Sequence, residues 1–212
     1  MRKYPVLICM LIAVFFLVTA TLLYPGGSLL NKQAEGFDWS KNFFSNLFLA
    51  RALNGTENPS RIWALTGMVF HSIACGLFFM HTARKIPQKH TAVVLKAIGL
   101  LNMVFTFLIA TSLHDIMVAV SSTLTMIGLF YITISVLKTK LHWLKLFCTG
   151  SLLLFYYTLY LYGAGHWGLL AVMQKVTFLT FMVLILTLEY FTKGEYFLPG
   201  VTNGPVITTD PG

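Results

Sequence analysis

Six strongly apolar stretches of roughly twenty residues alternate with polar breaks along the chain. They run Pro5 to Leu23, Ile62 to His81, Ala92 to Leu113, Ile116 to Leu137, His142 to Tyr162 and Leu169 to Tyr190. A helix rises about 1.5 Å per residue and the hydrocarbon layer is about 30 Å thick, so each stretch is long enough to cross a bilayer once. The breaks after the second stretch are short, which makes consecutive helices antiparallel neighbours. The fold expected is therefore all-α, with six transmembrane helices in one antiparallel bundle. The first stretch has a rival reading, because "MRK", an apolar run and "VTA" resemble a secretory signal with a cleavage site. The run continues through "TLLY", which favours a span.

The domain expected is a single unit over 1–196, followed by a flexible cytoplasmic tail at 197–212 that is rich in Pro, Gly and Thr. One connection is unusual: the loop at 24–61 is much longer than a typical link, which points to local folding or function. Within it Tyr24 to Gly27 reads as a turn. From a cap at Asp38, the spacing of Phe43, Leu47, Ala50 and Leu53 predicts a short helix. "NGTENP" ends that helix, and its match to a glycosylation motif is read as a turn.

Composition agrees with the pattern, since 57% of the residues are hydrophobic and only 10% are charged. The charge is also asymmetric. Arg2, Lys3, Arg84, Lys85, Lys89, Lys138, Lys140, Lys145 and Lys193 share one side of the expected topology. Basic flanks stay cytoplasmic, so both termini are expected there. That placement accounts for most of the net charge of +8 and removes any need for a nucleic-acid partner. Cys9, Cys75 and Cys148 fall inside spans as small apolar residues, and no disulfide framework is evident.

Polar side chains within a bilayer face the bundle interior or water, so their depth is informative. Counting from the expected outer ends, His71 lies about 14 Å deep, Asn102 about 16 Å and Thr106 about 10 Å. Ser121, Ser122 and Thr125 lie at about 8 to 14 Å, and Tyr157, Gln174 and Lys175 at about 8 to 9 Å. These heights predict an outward-facing polar pocket, with His114, Asp115 and His166 at its rim and Asp38, Trp39 and Asn42 in a loop lid. Asp115 is expected to pair with Lys175 reaching upward. Simpler readings stay open: span hydroxyls can bond their own backbone, Lys175 can snorkel, and His71 can hydrogen-bond between helices. His81, His90 and His142 are expected to be solvated. Zinc at His114, Asp115 and His166 is a further alternative, although no HExxH or HxxxH pattern occurs.

"YPGG", "GFDW", "NFFSNL", "NG" followed by "NP", the "HD" pair and "QK" together resemble a six-span bacterial membrane family, domain of unknown function 998 and its relatives. The resemblance covers about Tyr24 to Lys175 and implies no activity. Members of that family often carry an acid where Asn46 stands here. A fainter similarity is to the alkaline ceramidase and progestin receptor-like membrane hydrolases. That similarity implies three histidines and an acid around zinc, but the closing histidine pair is missing from this chain. The expected function is binding of a small molecule or lipid headgroup without covalent chemistry or a cofactor, with membrane lipids as partners. A metal-dependent lipid hydrolase and a carrier relaying protons or ions through His71, Lys175 and Asp115 are the alternatives.

Overall fold

The computed structural model describes residues 4–198, so Arg2, Lys3 and the expected tail beyond Leu198 lie outside the described residues. Six helices follow in order: α1 Pro5–Leu23, α2 Ser60–Lys85, α3 Lys89–Leu108, α4 His114–Leu137, α5 His142–Gly163 and α6 Trp167–Phe191. Each is long and apolar enough to cross a membrane, and the chain is a multi-pass membrane protein with an all-helical bundle. One end of the bundle carries the long loop. The other carries the start of α1 and the finish of α6.

Consecutive helices pack against one another, and α2 occupies the centre, touching α1, α3 and α6. Between lipid-bathed helices there is little hydrophobic drive to associate, so close backbone approach matters more than in water. Gly76 of α2 and Gly99 of α3 supply it: a Cβ on Gly99 would sit 3.0 Å from the Gly76 carbonyl oxygen, and one on Gly76 would sit 3.1 Å from that of Gly99.

Packing is continuous at one end of the bundle and divided at the other. At the terminal end Phe78, Phe79, Leu95, Leu129, Leu144 and Leu184 belong to one fully buried core. At the loop end the core splits into two patches. Tyr24, Leu47 and Met68 belong to the first, and Phe43, Leu161 and Leu170 to the second. The space between these patches is the cavity described below.

Four expectations change. The third span stops at Leu108, because the Thr111 hydroxyl donates to the Leu108 carbonyl at 2.7 Å and accepts the Leu113 amide at 3.2 Å, forming a tight turn before α4. The expected loop helix from Asp38 to Leu53 is reduced to a 3-10 turn at Phe44–Phe48. Asp38 does not cap a helix, since its carboxylate accepts the Ser40 amide at 2.8 Å and the Ser40 hydroxyl at 2.6 Å. These bonds, with Lys41 at 3.2 Å, hold its carboxyl down at about 2. His81 is not simply solvated: its Nδ1 lies 2.6 Å from Glu189 Oε1, tying α2 to α6. Lys85 of the same helix donates to the Leu188 and Glu189 carbonyls at 2.9 and 2.6 Å.

Candidate functional site

The loop is built on buried asparagines rather than on helical periodicity. Asn42 Nδ2 donates to the Gly27 carbonyl at 2.7 Å, Asn46 Oδ1 accepts the Phe43 amide at 2.7 Å, and Asn58 Nδ2 donates to the Leu49 carbonyl at 2.8 Å. The phenol of Tyr24, buried with them, accepts the Leu53 amide at 3.1 Å, and burial raises its pKa. Gly27 has a φ of +85°, where a side chain is strained, and a Cβ there would lie 2.3 Å from the Asn54 backbone nitrogen. "NG" at Asn54 is the expected turn, with the Asn54 side chain accepting the Thr56 amide at 3.1 Å.

Two residues of α6 fasten this loop down. Gln174 Oε1 accepts the Phe44 amide at 3.0 Å. The Lys175 ammonium donates to the carbonyls of Asn42 and Ala171 and lies 5.7 Å from the ring centroids of both Phe37 and Phe44. The expected Asp115–Lys175 pair therefore does not form. Asp115 instead lies 3.0 Å from its neighbour His114, and its side chain is 90% exposed.

Under the loop is a cavity of about 600 Å³, within the size range of small-molecule sites. All six helices contribute to its wall. His71, Thr106, Ser122 and Gln174 are in that wall, with His114 and Asp115 at the mouth beside Tyr162 and Trp167. Phe43, Phe44, Phe155, Phe178 and Phe181 also line it, so the wall is mostly aromatic and aliphatic rather than polar.

Several of the polar side chains at this level satisfy one another. Asn102 Nδ2 donates to Thr125 Oγ1 at 2.9 Å, the hydroxyls of Thr106 and Ser121 are 2.7 Å apart, and those of Thr158 and Thr177 are 2.6 Å apart. Asn102 itself is buried between α3 and α4 and is not part of the wall.

Other expected site residues lie elsewhere. Tyr157, 42% exposed, and His166 border a separate shallow depression with Leu30 and Tyr160. Asp38, Trp39 and Asn42 are not in the cavity wall: Trp39 is 52% exposed and packs on Phe37 and Phe44, while Asn42 is buried in the loop's own network. The loop's contribution to the wall is Leu29, Phe43 to Asn46 and Phe48. Zinc at His114, Asp115 and His166 is not supported, because no three His, Cys, Asp or Glu side chains are grouped to hold a metal among the described residues.

At the deep end of the cavity stands His71, only 7% exposed. Its Nε2 lies 3.6 Å from Cys75 Sγ, one helical turn on, and its ring centroid lies 4.7 Å from that of Phe178. Its Nδ1 is buried with no hydrogen-bond partner among the described residues. Cys75 also lines the cavity. It was legible only as a small apolar residue, although its spacing of four from His71 puts both on one helix face. Searches against protein-family models, curated proteins and solved structures return no match.

Proposed function

We propose that this membrane protein binds a small, largely apolar molecule or a lipid in the space beneath its long loop. The observation that carries the reading is the cavity of about 600 Å³ whose wall draws on every helix while the opposite end of the bundle is filled. An unfilled space of this size forgoes packing that the same aromatic side chains make elsewhere in the fold, and an occupant restores it. A proton relay gains no support from the geometry, since Lys175 is engaged with the carbonyls of Asn42 in the loop and Ala171 in its own helix, and Asp115 with His114. The similarity to the six-span bacterial family remains part of this proposal and adds no activity to it.

Native mass spectrometry of the protein released from mild detergent tests the reading. The wild type is expected to carry a defined adduct. The variant Val118→Phe, which adds volume to the cavity wall, is expected to lose it while the protein stays folded. Bare protein in both samples would remove the proposal.

A further inference from the structure

Given an occupant, which rests on the reading above, the wall restricts its chemistry. Among the described residues Asp115 is the only Asp, Glu, Lys or Arg in the lining, and it stands at the exposed mouth. Deeper in, the wall offers the already paired hydroxyls of Thr106, Ser121, Thr158 and Thr177, the Ser122 hydroxyl, Gln174 whose Oε1 holds the loop, aromatic rings, and His71. A charged group there would lose its hydration with nothing of opposite sign to meet it. Full apolarity fits no better, because the buried Nδ1 of His71 would stay unpaired, and an unpaired buried polar atom is costly.

We infer that the occupant is an uncharged, mostly apolar molecule carrying one carbonyl or hydroxyl oxygen that hydrogen-bonds to His71 at the deep end of the cavity. Either oxygen can serve. If the His71 proton is on Nδ1, a carbonyl or a hydroxyl can accept it. If the proton is on Nε2, facing Cys75, only a hydroxyl can donate to the bare Nδ1. An ester or quinone carbonyl and an alcohol are thus distinguishable by the tautomer they require. The mouth adds selectivity, because Asp115 repels an anionic headgroup.

Trp167 in the wall is a built-in reporter. In nanodiscs, the variant carrying Trp39→Phe, Trp63→Phe and Trp143→Phe leaves it as the sole tryptophan. Quenching is titrated with 12-bromododecanol, methyl 12-bromododecanoate, 1-bromododecane and 12-bromododecanoate. Saturable quenching by the alcohol, the ester or both is expected, and weaker binding of the alkane and the carboxylate. His71→Phe should weaken the preferred oxygen probe about three- to tenfold, the size of one hydrogen bond, and leave the alkane unchanged. His71→Gln, which keeps hydrogen-bonding capacity, should recover part of that loss. Equal binding of all four probes, or an unchanged response in His71→Phe, overturns the inference while the cavity reading stands. Absence of saturable quenching by any probe, with Val118→Phe indistinguishable from its parent, overturns the cavity reading itself.

Discussion

Lys175 is the residue whose role departs furthest from its position in the sequence. Counting residues along a helix gives depth, and by depth Lys175 and Gln174 are equivalent. A helix turns about 100° per residue, however, so the two side chains leave α6 in different directions. Gln174 reaches the cavity wall, while Lys175 reaches the loop backbone. Depth can be counted from sequence and azimuth cannot, which is why residues at similar height such as His71, Thr106, Ser122 and Gln174 share a cavity wall while the Asp115–Lys175 pair does not form. Replacing Lys175 with Met keeps much of the stem's contact with Phe37 and Phe44 but leaves the Asn42 carbonyl without this donor. Hydrogen bonds to charged groups contribute about 1.5–3 kcal/mol. The variant should therefore open the loop locally, and tryptic cleavage after the exposed Lys41 and Arg51 should accelerate about tenfold or more. A cleavage rate equal to wild type would show that Gln174 and the asparagine network hold the loop without it.

The helices were legible because a bilayer demands long apolar runs whatever they pack against, and their boundaries moved by a few residues, most at the end of α3, where the Thr111 side chain intervenes. The loop was not legible in the same way. Phe43 and Leu47 do become buried, but asparagine side chains there bond to the backbone and take the place of the helical ladder. Sequence spacing cannot distinguish that outcome from a helix. At the other end of the bundle the missing signal was a partner 108 residues away, since His81 reads as solvated until Glu189 is placed beside it. This contact, with the Lys85 ammonium 3.9 Å from the other carboxylate oxygen, joins the last turns of α2 and α6. Glu189→Gln keeps a hydrogen-bond acceptor but removes the charge. It should lower unfolding stability in detergent by about 1–2 kcal/mol, and Glu189→Ala by more. If Glu189→Gln unfolds like wild type, the His81 contact is a neutral hydrogen bond and the carboxylate charge contributes nothing to it.

A bundle sealed at one end and hollow at the other responds unevenly to perturbation. The filled end carries the continuous core, and the hollow end is held by the loop's attachments to α6 and by the small patches on either side. A molecule that fills the gap binds the folded state and not the unfolded one, so it must raise stability by an amount fixed by its concentration relative to Kd. At about 100 times Kd that gain is about 2.7 kcal/mol. Val118→Phe occupies part of the same volume with its own side chain, which separates filling from binding: the variant gains packing permanently but loses the concentration dependence. Thermal unfolding in nanodiscs with a rising concentration of the alcohol or ester that binds should therefore shift upward for the wild type and stay flat for Val118→Phe. A shift that needs about three- to tenfold more ligand in His71→Phe would assign the effect to the deep hydrogen bond. Parallel shifts in all three proteins would instead trace it to the surrounding bilayer, because a change in lipid order acts on every helix and not on one cavity.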